Sequence, residues 1–383
     1  MTRFIHIADV HLGAKFTYLE GDRQVERCED LFDSFSRAVD FAVSPDNNID
    51  GVIIAGDLFD VANPDPALVR KVQKEFKKLQ DGGKITVLTP GTHDPSIYPE
   101  SVYYKYQFPG IIMLNSPNPD NPVVKAINNV DFYFYGMEYH PIHSRLPLEP
   151  FRQKGGSGFH IALLHCSFAP SAHWEVDSSY LPVEREFFEK SDMDYFALGH
   201  YHNFAQFQFG KTTAVYPGTL EGRSFHEQGQ RFLVTVNFIG PGRIEVEKIP
   251  WNRKTMTTLE LDVGKYGFQT NQEIIRAISE KTRDGSNLLL KVRLTGISDF
   301  IADVSLIKES LEQDYFYISV EDELSYLEPS KMEVLARENS IRGLFVRKLL
   351  VKMHGADERE RAVLQNAMKT VMAHMKGGEQ VAV

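Results

Sequence analysis

The sequence lacks what a secreted or membrane-bound chain needs. Its 383 residues contain two cysteines, Cys28 and Cys166, too few for a disulfide framework and without the CxxC spacing of a thiolate metal site. No stretch approaches the ~18 consecutive apolar residues of a membrane span. The opening segment MTRFIHIADVHLG breaks its apolar run with His6 and Asp9, which does not read as a signal peptide. A cytoplasmic address without membrane association is expected. Positive charge is also scarce: 42 Lys and Arg stand against 52 Asp and Glu, a formal net charge of -10. That excludes coating of nucleic acid by bulk electrostatics, but not an enzyme with a local basic path and cations at its site. There is no internal repeat, no low-complexity tract and no basic stripe interleaved with aromatics that would mark a nucleic-acid path.

What is present is ordinary in bulk and specific in detail. The length suggests two or three domains at ~150 residues each. Short runs rich in β-branched and aromatic residues mark strands at Phe4 to Ala8, Gly51 to Ala55, Ile85 to Thr89, Asp131 to Tyr135, His160 to Leu164 and Tyr195 to Leu198. Arg23 to Val43 carries Val25, Leu31, Phe32, Phe35, Val39 and Phe41 at helical spacing, and Pro66 to Leu79 carries Leu68, Val72, Phe76 and Leu79. An α/β core follows, a two-sheet β-sandwich flanked by helices. Gln230 to Val246 reads as a hairpin turning at Gly240-Pro241-Gly242. Beyond Trp251 the texture changes to a β-α-β-α-β pattern: Thr258 to Val263, Gln272 to Lys281, Asn287 to Leu294, Ile301 to Glu312 and Phe316 to Glu321. Ser330 to Met375 reads as helical, with apolar residues clustered from Leu344 to Met353. The expected domains are therefore 1-254, a smaller α+β domain at 255-328, and a C-terminal helical segment at 329-375.

The chemistry lies where the strands end. FIHIA runs into Asp9-Val10-His11, GVIIA into Gly56-Asp57, ITVLT into Pro90-Gly91-Thr92-His93-Asp94, HIALL into His165, and YFAL into Gly199-His200-Tyr201-His202. Five apolar strands thus deliver carboxylate or imidazole at their carboxyl ends, the edge that forms the crevice in open α/β sheets. Residues i and i+2 of an extended segment share a face, so Asp9 and His11 can grip one ion, while His200 and His202, around a turn, can reach one ion or two. Mixed carboxylate and imidazole suits Mn²⁺, Fe²⁺ or Zn²⁺. A carboxylate such as Asp57 can bridge two ions ~3.5–4 Å apart, a spacing that serves in-line displacement at phosphorus. Any one of these motifs alone is commonplace in structural roles; all five in order, each at a strand end, are not.

The ordered set D-x-H, G-D-x-x-D, G-x-H-D, H and G-H-x-H resembles the calcineurin-like metallophosphoesterases. ADVHLG, GDLFD, ALGHYH and YPGTLEGRSFHEQG resemble, within them, the SbcD-type DNA double-strand-break repair nucleases. The resemblance covers about residues 4 to 235; beyond 255 it is architectural only, a small capping domain followed by helices. It implies two divalent ions, Mn²⁺ first and Mg²⁺ or Fe²⁺ as alternatives. Asp9, His11 and His202 would hold one ion, Asp57 would bridge, and His165 and His200 would hold the other. His93 matches the family's acid for the departing sugar oxygen. Asp94 either orients His93 or caps the following segment, and Asp60 reads as structural. Thr92 departs from the pattern, standing where the family has an Asn whose carbonyl ligates the second ion; a weaker second site is expected.

The implied function is a metal-dependent DNA nuclease subunit, exonucleolytic on duplex ends with endonucleolytic action on single strands as a further expectation, and with DNA, an SbcC-type ABC ATPase and a second copy as partners. A small-molecule or cyclic-nucleotide phosphodiesterase, and a non-catalytic module with an impaired second metal site, are the competing readings. Arg223 and His226 would lie at the rim as substrate contacts. The loop holding His173 and Trp174 either touches substrate or is plain surface. The apolar residues from Leu344 to Met353 either dock the ATPase or pack on their own domain.

Overall fold

A computed structural model describes residues 1–116, 121–138, 149, 151–168, 181–240, 242–282, 285–298, 300–325, 334–357, 360, 363–364, 367–368 and 371. His173 and Trp174 lie outside them. The chain divides into two compact units, Met1–Thr255 and Met256–Val383.

The first unit is a sandwich of two six-stranded sheets. Its first sheet is built from β1 (Thr2–Ile7), β2 (Gly51–Ala55), β3 (Ile85–Thr89) and β4 (Ile111–Met113), all parallel. The helices α1 (Gly21–Val43) and α2 (Pro66–Asp81) connect the first three strands, and two short helices, α3 (Val102–Lys105) and α4 (Arg185–Lys190), follow later in the unit. The second sheet contains β5 (Val123–Ile127), β6 (Val130–Met137), β7 (Phe159–His165), β8 (Tyr195–Gly199), β9 (Ala205–Phe209) and β10 (Thr212–Tyr216), in the order β5-β6-β7-β8-β10-β9. The hairpin of β11 (Phe232–Gly240) and β12 (Arg243–Pro250) adds to the free edge of β1, β11 lying antiparallel to it.

Alternation explains the layers. Phe4, Ile53, Val87, Phe132, Phe134, Ile161, Leu163, Tyr195 and Val236 fill the space between the sheets. Ala162, Leu164, Phe196 and Leu198 face the other way, onto Phe168, Phe187 and Phe188. The central strands β6, β7, β8 and β10 therefore place buried apolar residues on both faces. On α1 the buried stripe is Leu31, Phe35, Ala38, Val39 and Ala42; Val25, expected on it, is exposed. Strands β4, β5, β9 and β10 were not expected from the sequence. β4 has three residues, and β5 and β9 are edge strands whose polar exposed positions break the apolar run.

The second unit holds a three-stranded sheet, β13 (Thr255–Asp262), β14 (Leu288–Thr295) and β15 (Tyr317–Asp322), in that order. Its helices are α5 (Val263–Tyr266), α6 (Asn271–Lys281) and α7 (Val304–Leu311). Leu261, Ile274, Ile278, Leu290, Val292, Ile307 and Ile318 form its core. Helix α8 (Ile341–His354) buries Val346 and Leu349 against Leu335 and Met368 but leaves Ile341, Leu344 and Val351 exposed. No helix among the described residues is long and apolar enough to cross a membrane.

His6 bolts the two sheets of the first unit together. Its Nδ1 lies 2.9 Å from the Tyr195 hydroxyl, and complete burial lowers its pKa to about 3. The unfolded chain, with an ordinary histidine pKa of ~6.5, takes up this proton first. Stability from this site is therefore whole above pH ~6.5 and declines as pH falls toward 3. Between those limits the wild type should lose about 1.4 kcal/mol of unfolding free energy per pH unit more than His6→Gln. Urea melts at several pH values would show this, and parallel profiles for the two proteins would contradict it.

Candidate metal centre

The carboxyl ends of β1, β2 and β3 meet those of β7 and β8, and the loops leaving them are tied before any ligand is considered. Past their last paired residues, β1 and β2 continue to zip together. Asp9 N–H donates to Gly56 O (3.1 Å), His11 N–H to Asp57 O (2.9 Å) and Leu12 N–H to Leu58 O (2.8 Å). The second sheet is fastened to the first by the backbone N–H of His200, which donates to both Asp9 oxygens at 3.0 and 3.1 Å. The His165 ring adds a further tie, its Nδ1–H donating to Ala55 O at 3.0 Å.

This convergence bends the backbone. Asp9 (φ 53°), His11 (φ 49°), Asp57 (φ 51°) and His200 (φ 109°) all have positive φ. Such conformations cost about 1–3 kcal/mol each and persist only where the surroundings over-determine them. Gly56, between β2 and Asp57, also has positive φ, and a Cβ there would overlap the His165 ring.

The structure brings three groups of ligand atoms to within 4.8 Å of one another: Asp9, His11 and His202; His11, Asp57 and His93; and Asp9, Asp57 and His165. His200 sits beside them, its ring 5.6 Å from that of His165. Thr92 Oγ1 is 3.5 Å from Asp57 Oδ2. Asp9 and Asp57 are buried, at 0% and 2% exposure. Nε2 of His11 and Nε2 of His165 are buried without a hydrogen bond. Buried acceptors and carboxylates in this arrangement fit a hard or borderline divalent cation.

Electrostatics agree with that fit. Burial alone would raise the Asp57 carboxyl, but the His165, His11 and His93 rings hold it far below the carboxylate range. Burial would lower His165, yet Asp57 and Asp9 lift it to about 10. Since Nδ1–H already serves Ala55, the additional proton of His165 sits on Nε2, 3.3 Å from Asp57 Oδ2, where a metal ion would replace it. His11 is lowered by burial against the pull of Asp60 and Asp57. His200 is lowered to about 4 by burial and then by His165. Both are neutral near pH 7, the form a metal requires.

The other expected residues take more particular places. His93 Nδ1 lies 3.0 Å from the Asp60 carbonyl, which can only accept, so Nδ1 carries the proton and Nε2 is the nitrogen left for chemistry. Asp94 is fully buried and accepts from Gly91 N–H (2.8 Å), Phe59 N–H (3.0 Å) and the Tyr103 hydroxyl (2.7 Å). None of these three bonds goes to His93. Arg223 is engaged with Asp60 Oδ1 at 2.9 Å. His226 is exposed and belongs to none of the three groups.

Glu227 went unnoticed in the sequence. It is buried and its Oε1 is 2.9 Å from His202 Nδ1. Burial would raise its carboxyl, but His202 and Arg223 hold it down to about 2. A glutamate in a polar loop carries no periodic signal; only its adjacency to His226 in YPGTLEGRSFHEQG could have drawn attention to it.

The sequence profile of the family described as calcineurin-like phosphoesterase matches residues 2–204. The chain is 26% identical over 312 residues to an uncharacterized metallophosphoesterase, YhaO, of Bacillus subtilis, covering 76% of this chain and 71% of that protein. It is 28% identical over 218 residues to the DNA double-strand break repair protein Mre11 of Sulfurisphaera tokodaii, covering 54% of this chain and 50% of that protein. Over 328 residues it is 23% identical to the protein of that name from Sulfolobus acidocaldarius, covering 82% and 80%.

Gly91 lets the third loop approach the cluster, since a Cβ there would overlap the Asp57 carboxylate and its backbone nitrogen. Gly91→Ala should displace Asp57, lowering stability by about 1–3 kcal/mol and Mn²⁺ affinity at least ~10-fold. Calorimetric titration showing wild-type affinity would mean that Asp57 does not depend on this close approach.

Proposed function

The chain belongs to the calcineurin-like phosphoesterase family, and from that premise we propose that it is a divalent-metal-dependent phosphodiesterase acting on DNA. The observation that carries the proposal is the juxtaposition of the ligand cluster with His93, whose Nδ1–H is tied to the Asp60 carbonyl. Asp9, His11 and His202 would hold one ion, and Asp57, His165 and His200 a second, with Thr92 as a weak further ligand. Mn²⁺ suits the mixed carboxylate and imidazole set. When bound, two such ions supply Lewis-acid activation of water and neutralise charge on the phosphoryl oxygens.

The protein's own part is positional. The cluster's buried, hydrogen-bonded backbone fixes where the phosphodiester must sit. His93, oriented through Nδ1, would give a proton from Nε2 to the departing sugar oxygen as the P–O bond breaks, while the attacking water's oxygen bonds to phosphorus and its proton passes to solvent. His93 is exposed, as a group that must meet a macromolecular substrate should be. Asp94 acts by holding the loop that carries His93.

DNA is favoured as substrate because of the names and the lengths of the matches to the repair proteins. An SbcC-type ATPase is the proposed partner, docking on the exposed Ile341, Leu344 and Val351 of α8, and a homodimer is the proposed assembly. The Met256–Val383 unit is the proposed DNA-recognition element.

With Mn²⁺, the purified protein should degrade labelled duplex DNA and cleave bis-p-nitrophenyl phosphate. His93→Ala should slow both by ~10²–10⁴-fold while leaving Mn²⁺ affinity within a few-fold. Cleavage of the small ester alone would replace DNA with a small phosphodiester as substrate, and cleavage of neither would sink the catalytic reading. Thr92→Asn, which restores a carbonyl ligand, should tighten the weaker Mn²⁺ event in calorimetry; an unchanged isotherm would remove Thr92 from the ligand set.

A further inference from the structure

We propose that Glu227 and Asp60, joined through Arg223, are positioning residues that hold His202 and His11 with Nε2 turned to the metal cluster. The inference rests on the reading above that these two imidazoles are ligands. It assigns a task to three residues outside the ligand set.

The His202 end is the tighter. Its Nδ1 is 2.9 Å from Glu227 Oε1. A carboxylate can only accept, so the ring proton is on Nδ1 and the lone pair on Nε2. Glu227 cannot follow a rotating ring, because its other oxygen accepts from Arg223 N–H at 2.9 Å and from the Thr219 hydroxyl at 3.2 Å. At the other end, Asp60 Oδ1 lies 3.2 Å from His11 Nδ1, while His11 Nε2 faces Asp57 Oδ2 at 3.6 Å. The same Asp60 oxygen accepts from Arg223 Nη1 at 2.9 Å, and Arg223 Nε is 3.9 Å from Glu227 Oε1. One guanidinium therefore spans two carboxylates, each backing one imidazole of the same ion site. With its side chain 19% exposed and committed in this way, Arg223 acts on the histidines and not on substrate phosphate. Carboxylates behind ligand imidazoles fix the tautomer and raise ligand basicity.

The test uses the metal-free protein labelled with ¹⁵N-histidine. Long-range ¹⁵N–¹H correlations at about pH 8 report each ring's tautomer, His202→Gln assigns the His202 signals, and calorimetry measures Mn²⁺ binding in the same samples. Wild-type His202 should be the Nδ1–H tautomer. Glu227→Leu should populate the other tautomer and weaken Mn²⁺ binding by about 10- to 100-fold. Glu227→Gln, whose amide oxygen still accepts from Nδ1–H, should restore the tautomer and most of the affinity. A folded Glu227→Leu that keeps both the Nδ1–H signal and wild-type affinity would overturn the proposal. Should Glu227→Leu fail to fold, Thr219→Val, which frees one anchor of Glu227, should weaken Mn²⁺ binding a few-fold, and unchanged binding would overturn the proposal equally. If the wild type binds no Mn²⁺, the metal reading fails on its own, while the tautomer signal still decides whether Glu227 positions His202.

Discussion

Two carboxylates, Asp9 and Asp57, are buried side by side at the meeting edge of two sheets, and most of the first unit can be understood as the means of keeping them there. Like charges removed from water repel strongly and are tolerated only with positive charge between or beside them. In the metal-free cluster the protonated His165 ring supplies that charge, and a bound divalent cation would take over the role. The continued pairing of the β1 and β2 loops, the backbone bond from His200 to Asp9 and the ring bond from His165 to Ala55 are short-range ties that hold four residues at positive φ. A chain with no use for a cation at this edge would relax that strain or replace the carboxylates.

The same constraint bears on the proposed DNA substrate. A net charge of -10 would repel DNA at long range, whereas cations held in the cluster would attract phosphate at short range. Recognition would then be concentrated at the cluster, beside His93, whose Nδ1 meets the Asp60 carbonyl. Asp94 accepts from Gly91, Phe59 and Tyr103 and so ties together the loop that bears His93.

The architecture and the residues gathered at the strand ends were legible because each rests on a short-range rule. An apolar strand must end in polar residues, and in a parallel sheet those ends lie on one side; Asp9, Asp57, His165 and His200 therefore declared themselves by position. Helices α1 and α2 followed from spacing, apart from Val25, which lies in the exposed first turns of α1. What escaped was long-range or weakly patterned. Edge strand β9 alternates partly buried with exposed side chains, and β5 exposes three residues in a row, so both resemble loops. Glu227, Asp60 and Arg223 become a unit only when a segment near residue 225 folds against one near residue 60, which no local spacing announces. Arg223, suited to phosphate by its chemistry, is instead engaged with carboxylates.

The most direct measurement of the central claim is the location of bound metal. Crystals grown with Mn²⁺ and recorded on the high-energy side of the manganese absorption edge should give two anomalous peaks per chain, ~3.5–4 Å apart. One should lie among Asp9, His11 and His202, and the other, weaker one beside Asp57 and His165. A single peak remote from Asp57, or none at saturating Mn²⁺, would contradict it.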